Sequence, residues 1–195
     1  IVLGGIGFFV WDDIAKNQWH FRNYTLQTKV VLTTTALLLI LPFLWFWLCE
    51  FVHWNGMSTG KQALSALFQT VSPRTAGFNN VDLNQLSGGS KLLTILLMLV
   101  GGSPSSTAGG IKTTTLAILL LALRAAFTSD HQVHCFGRRI PAQVITRTLV
   151  VSVLYGTLFL VASMALIQLE PVTMEEALFE CASAIGTVGL TLGIT

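Results

Sequence analysis

Gly101-Gly102-Ser103-Pro104-Ser105-Ser106-Thr107-Ala108-Gly109-Gly110 lies between two apolar segments. Leu92–Val100 precedes it without a charge. Ile111-Lys112-Thr113-Thr114-Thr115 and the apolar Leu116–Leu123 follow. Glycine, serine and a charge cannot face lipid as open loop, because each unpaired peptide group costs several kcal/mol there. Irregular backbone at membrane depth survives only inside protein or beside water. The loop is therefore expected to line a water-filled path, in a chain that moves something polar across a membrane.

The rest of the sequence agrees. Hydrophobic residues make up 52% of 195 and charged residues 10%, against about 25% charged in soluble domains. Mean hydropathy is +0.69. A net charge of +2 is too small to suggest nucleic acid. Val30–Cys49 is an uncharged run long enough to cross about 30 Å of hydrocarbon, with Pro42 a source of kinking. Leu149–Leu169 is a second such run. As one helix, Lys91–Arg124 would measure about 51 Å, too long for one straight span. The glycine-rich stretch splits it into two halves, neither able to cross alone. The chain opens at Ile1 with no Met and no basic n-region, and reads as a piece of a longer protein with Ile1–Val10 the tail of an earlier span.

Basic residues set the orientation. Lys16, Arg22 and Lys29 precede the first full span, and Arg124, Arg138, Arg139 and Arg147 precede the last. The positive-inside rule makes both stretches cytoplasmic. Glu50, Lys61, Asp82, Glu170, Glu175 and Glu176 then lie outside, where a mostly acidic face concentrates cations. The run Trp45-Phe46-Trp47 reads as an outer interfacial belt.

The chain also repeats itself. Ala66-Leu67-Phe68-Gln69-Thr70-Val71-Ser72-Pro73-Arg74-Thr75-Ala76-Gly77-Phe78 matches Ala177-Leu178-Phe179-Glu180-Cys181-Ala182-Ser183-Ala184-Ile185-Gly186-Thr187-Val188-Gly189-Leu190 when one residue is skipped in the first copy. Each copy follows a full span, begins with a helical pattern too short to cross, and ends in Thr-small-Gly-apolar. Thr59 and Thr173 are expected at or near the helix N-caps. Span, half-helix, extended glycine segment, span is the layout of a cation filter, in which main-chain carbonyls replace the hydration shell. Glycine tolerates the backbone angles required and adds no side chain to narrow the path.

Three segments carry a family resemblance: Thr70–Asn79, Gly101–Thr115 and Ser183–Leu190. Over essentially the whole chain they resemble the TrkH/KtrB family of potassium uptake proteins. The resemblance implies an all-α integral membrane protein of repeated helix–pore-loop–helix units around a central pore, with one span broken by a glycine-rich intramembrane loop. On that template 1–14 ends the second repeat, 15–29 is a cytoplasmic linker, and 30–127 is the third repeat. Residues 128–148 form a cytoplasmic loop, and 149–195 begin the fourth repeat without its final helix. Thr75, Ala76, Gly77 and Phe78 would be the third filter strand, and Thr187, Val188, Gly189 and Leu190 the fourth, with K+ the transported ion. The loop Gly101, Gly102, Ser103, Pro104, Ser105, Ser106, Thr107, Ala108, Gly109 and Gly110, with Lys112, would be the gate. The family often has Gly-Ser-Thr where this chain has Ser105-Ser106-Thr107, so one hinge glycine is replaced. The resemblance further implies the bacterial inner membrane, a homodimer, and a cytoplasmic nucleotide-binding ring similar to TrkA or KtrA, whose contact would be the basic segment Arg124–Arg147.

Other readings are weaker. A Walker A motif needs Gly-Lys-Ser/Thr contiguous, whereas Ile111 separates Gly110 from Lys112. Gly4-Gly5-Ile6-Gly7 lacks the dinucleotide fingerprint and suits close helix packing. His131, His134 and Cys135 have ligand-like spacing but no evident fourth ligand, and Cys49 and Cys181 share no motif with them. Lys112 either snorkels to water or helps hold the gate shut. Arg74 and Glu180 are expected behind the filters, with Arg74 reaching Glu180 first and Asp82 second, or else bonding only pore-loop carbonyls. A sodium-permeable relative, a broken-helix secondary transporter and a membrane enzyme stand as alternatives; no acid–base cluster supports the last.

Overall fold

The computed structural model describes residues 2–18, 20–54, 58–128 and 132–193. Within them, two helices are long and apolar enough to cross a membrane, Leu26–Glu50 and Ala142–Leu169. The first is α3 (Leu26–Trp45) continued by a π-helical turn, Phe46–Glu50. The second is α7 (Ala142–Leu169), and only 6% of its most apolar window is buried. Val150, Val153, Leu154, Leu158 and Met164 all stand exposed along it. So much contiguous apolar surface suits lipid or further protein, not water.

The N-terminus is a short turn of helix, α1 (Val2–Gly5), then α2 (Phe8–Asn17). The break between them falls at Gly7, whose φ is 93°. The Gly4–Gly7 stretch is thus a helix break as well as a close packing surface. Asp13 ties α2 to α3: its Oδ2 accepts from the Thr25 amide and hydroxyl, both at 2.9 Å, and Thr25 caps α3.

Two helices of 13 residues lie among the long ones: α4 (Thr59–Val71) and α8 (Met174–Gly186). At 1.5 Å per residue each spans about 20 Å, short of a hydrocarbon core. Thr173 caps α8 in a capping box with Glu176, and Ser58 takes the cap position of α4 one residue before Thr59. The broken span gives α5 (Gly88–Leu99) and α6 (Thr113–Phe127), separated by an irregular loop. A two-residue hairpin, β1 (His134–Cys135) with β2 (Arg138–Arg139), joins α6 to α7.

The core gathers around α5 and α8. Phe46, Met98, Phe179 and Ala182 are fully buried in one cluster with Ile95 and Leu190. Two outer-face expectations change here. Phe46 is a core side chain rather than part of an interfacial belt, while Trp45 is 45% exposed and donates to Ser90 Oγ at 3.3 Å. Glu50 is buried rather than part of an exposed acidic face. Its Oε1 accepts from the Ser87 amide (3.1 Å), and its Oε2 from the Ser87 and Ser90 hydroxyls (2.7 and 2.6 Å). Ser87 caps α5, so the carboxylate sits at the positive end of that helix and fastens α3 to it. A second outer clasp joins Lys91 of α5 to Glu175 of α8 at 2.8 Å.

Candidate ion-coordinating site

After α4 and α8 the two matching peptides take up the same unusual backbone. Thr75 and Thr187 have φ of 66° and 55°, and Gly77 and Gly189 have φ of 72° and 88°. A β-branched residue in the left-handed region is a conformational outlier, and such outliers gather at functional sites. Its occurrence at both threonines makes the repeat a repeat of backbone shape as well as of residues.

Three amides of each peptide are satisfied by the turn that precedes it. Ala76 N and Gly77 N donate to Ser72 O at 3.1 and 3.2 Å, and Phe78 N donates to Ser72 Oγ at 3.0 Å. The Ser72 hydroxyl in turn donates to Phe78 O. In the second copy Thr187 N donates to Ala184 O at 3.1 Å, Val188 N to Ser183 O at 2.8 Å, and Gly189 N to Ser183 Oγ at 3.1 Å. The carbonyls of Thr75, Ala76, Gly77, Thr187, Val188 and Gly189 receive no protein donor among the described residues. Each peptide thus presents an arrangement of three engaged amides and three carbonyls without a protein donor. Ser72 and Ser183, which create it, were legible only as matched positions in the repeat.

The two peptides also meet. A side chain on Gly77 would run into Val188 O, so the first passes directly against the second. Val188 and Leu190 are buried, whereas Phe78 is 66% exposed. Glu180 Oε1 accepts from Thr191 Oγ1 at 2.5 Å and Leu192 N at 2.9 Å, bracing the chain as it leaves the second peptide.

The glycine-rich loop packs against the second peptide. Its ends are joined by a parallel bridge between Val100 and Ile111, with Gly101 N to Ile111 O and Ile111 N to Leu99 O both at 3.0 Å. Ser103 N donates to Gly5 O at 2.8 Å and Phe8 N to Ser105 O at 3.1 Å, tying the loop to α1 and α2. Ser103 Oγ lies 3.0 Å from Thr113 Oγ1. A side chain on Gly109 would strike Thr187 Oγ1 and Gly186 O, and one on Gly101 would strike Gly109 O. Pro104 fills the space left by Gly7, and Thr107 lies near Gly4. Gly102 is equally crowded, by Ala108 and Ser106. Lys112 is half-buried and its Nζ donates to Ala108 O at 2.6 Å, closing the arm on itself. Gly110 has φ of 69° and Ser105 of 59°. Ser105 thus holds, as a non-glycine, a left-handed shape that glycine adopts freely.

Arg74 and Glu180 are both buried, with 8% exposure each. Among the described residues no ion pair joins Arg74 to Asp82. Arg74 Nη2 reaches Gly101 O at 3.4 Å, linking the first peptide to the loop. Asp82 instead caps the turn that follows, accepting from Asn84 N at 3.0 Å. His131 lies outside the described residues. Cys135 is buried in the hairpin, Cys181 is buried in α8, and Cys49 is exposed; all three are free thiols.

Comparison with known proteins places this geometry. The chain matches the TrkH family, cation transport proteins, over residues 1–195 and belongs to it. It is 38% identical over 199 residues to the Ktr system potassium uptake protein B of Vibrio alginolyticus, and 40% identical over 204 to the potassium/sodium uptake protein NtpJ of Enterococcus hirae. Each alignment takes in 100% of this chain and 44% of the relative, so the chain spans under half the length of these proteins. The crystal structure of the potassium transporter TrkH from Vibrio parahaemolyticus superposes with a TM-score of 0.76 at 22% identity, over 100% of this chain and 44% of that one. This is a membrane protein of a family of ion transporters, not enzymes.

Proposed function

We propose that this chain forms part of the permeation path of a potassium uptake protein of the inner membrane. Thr75–Phe78 and Thr187–Leu190 supply two of the strands that coordinate the ion. The observation carrying this reading is the pair of matched peptides, side by side, in each of which three amides are satisfied and three carbonyls are bare. A potassium ion entering them exchanges water oxygens for main-chain oxygens, with no side-chain charge to hold it too tightly to leave. The remaining strands would come from the rest of the family-length protein. The names of the relatives support potassium as the ion. That of the Enterococcus protein also names sodium, which gives a sodium-permeable variant a specific basis.

The loop at 101–112 acts as the gate in this reading, because it contacts the second peptide at Thr187 and carries a cation of its own at Lys112. A homodimer, and a cytoplasmic nucleotide-binding partner ring seated on the basic segment Arg124–Arg147, complete the proposal. The relatives named as parts of a Ktr system support such a partner. The test is ion-replacement flux through the full-length protein with potassium, rubidium and sodium. Gly77→Ser places a side chain against Val188 O, and Gly189→Ser strains the matching position. Both are expected to lose discrimination against sodium while the protein stays in the membrane. Unaltered selectivity in both variants would defeat the filter assignment.

A further inference from the structure

A cavity of about 840 Å³ opens between α3, α5 and α6, away from the carbonyl surface. That volume falls within the roughly 300–1,000 Å³ typical of small-molecule sites. Its walls are aliphatic: Leu37 and Leu41 of α3, Leu96 of α5, and Leu116 and Leu120 of α6. One end is different. Arg124, at the last turn of α6, lines it there, together with His134, Cys135 and Phe136 of the hairpin. The cross-strand partners of His134 and Cys135 are Arg139 and Arg138, both exposed, so the hairpin bordering this end carries two further arginines. Among the described residues, Arg124 has no carboxylate partner.

The dimensions suit one leaflet. The α3 residues that line the cavity run from Val30 to Pro42, a rise of about 18 Å along the axis. Half of a hydrocarbon core is about 15 Å thick. The apolar end reaches Val100, the first residue after α5 and a partner in the bridge that closes the loop. A ligand filling this space carries an anion at one end and hydrocarbon at the other.

We propose that the cavity is a binding site for an anionic glycerophospholipid of the cytoplasmic leaflet, with its phosphate on Arg124 and its acyl chains between α3 and α6. Charge complementarity selects the headgroup: juxtamembrane arginines attract anionic lipid, and a guanidinium pairs with phosphate through two parallel hydrogen bonds. The hairpin residues distinguish the site from the ordinary lipid boundary, because they line the end where the glycerol would sit. A seated lipid braces α6 against α3 and so favours the loop position observed. The proposal requires the basic end to be cytoplasmic but is independent of the filter assignment, and its readout is bound lipid rather than ion flux.

The test uses the full-length protein in vesicles of palmitoyl-oleoyl phosphatidylglycerol or phosphatidylcholine, followed by extraction and native mass spectrometry. Retained phosphatidylglycerol is expected, with phosphatidylcholine of the same chains held about fivefold more weakly: its phosphate is the same, but its choline ammonium cancels the net attraction to the basic end, about 1 kcal/mol per arginine. Arg124→Gln should abolish that preference. Leu37→Trp, at a half-exposed wall position, should displace both lipids without cutting the core. Equal retention of the two lipids, or an unchanged preference in Arg124→Gln, would overturn the site. Two further results would also overturn it, by showing that protein fills the space. One is cross-linking between copies through Leu37→Cys and Leu120→Cys. The other is density for another part of the full-length chain inside the cavity.

Discussion

Replacing Lys112 by methionine removes one contact and little else. The stem keeps its length and apolar character, and the ammonium is lost. In the structure Nζ donates to Ala108 O at 2.6 Å, across the base of the loop. A hydrogen bond from a charged donor contributes about 1.5–3 kcal/mol net. If the bond exists only while the loop is seated, its loss raises the unseated population about ten- to 150-fold. Removing a positive charge beside a cation path acts in the same direction. Rubidium uptake into proteoliposomes, normalised to inserted full-length protein, should therefore rise several-fold or more in Lys112→Met. It should stay near the parental rate in Lys112→Arg, which keeps a charged donor. The preference for potassium over sodium should be preserved in both, because the bare carbonyls are untouched. Unchanged uptake in Lys112→Met at equal insertion would refute the latch. So would a fall in uptake, since it would make Lys112 a support of the conducting form.

Three further outcomes follow from the same contacts. Ser72→Ala and Ser183→Ala each leave a peptide amide without its hydroxyl acceptor, at a cost of about 1–3 kcal/mol; both should relax potassium-over-sodium selectivity, measured by competition uptake, and Ser→Thr at either site should retain more of it. Glu50→Ala strands three donors at the junction of α3 and α5 and should destabilise the protein by about 3 kcal/mol, read as a lowered thermal midpoint in detergent, with Glu50→Gln milder. At the outer end of α8, hydrogen bonds from the Thr173 amide and hydroxyl hold the Glu176 carboxyl below its ordinary range. A depressed carboxylate stabilises above its unfolded pKa and loses that contribution as pH falls through the folded value. Acidification should therefore expose the Thr173 amide to hydrogen exchange, corrected for intrinsic rate, and Glu176→Gln should abolish the pH dependence.

Much of the framework was legible because membrane solvation writes itself into composition. The break between α5 and α6 followed from ten residues that no lipid-facing helix tolerates, and the two short helices from a repeated pattern. Helix ends were less legible. The apolar run began at Leu149, but α7 starts at Ala142, because hydropathy marks the part that meets hydrocarbon and not the length of the helix. Phe46 and Glu50 were misplaced for a geometric reason. The π-helical turn at Phe46–Glu50 shifts the facing of the residues in it, turning Phe46 into the core and Glu50 onto the start of α5. Arg74 meets a carbonyl of the loop, a contact between distant segments that no local pattern encodes. Ser72 and Ser183 stood in plain view in the repeat. Their role depended on a left-handed turn at the following threonine, which residue type alone argues against.

The most direct test is to locate the ion. The full-length protein should be crystallised in thallium or rubidium and the anomalous signal mapped against the two peptides. A peak ringed by carbonyl oxygens of Thr75–Gly77 and Thr187–Gly189, above the loop at Gly109, is the expected result. A cation found on side-chain carboxylates elsewhere, with these carbonyls turned away from it, would contradict the proposed path.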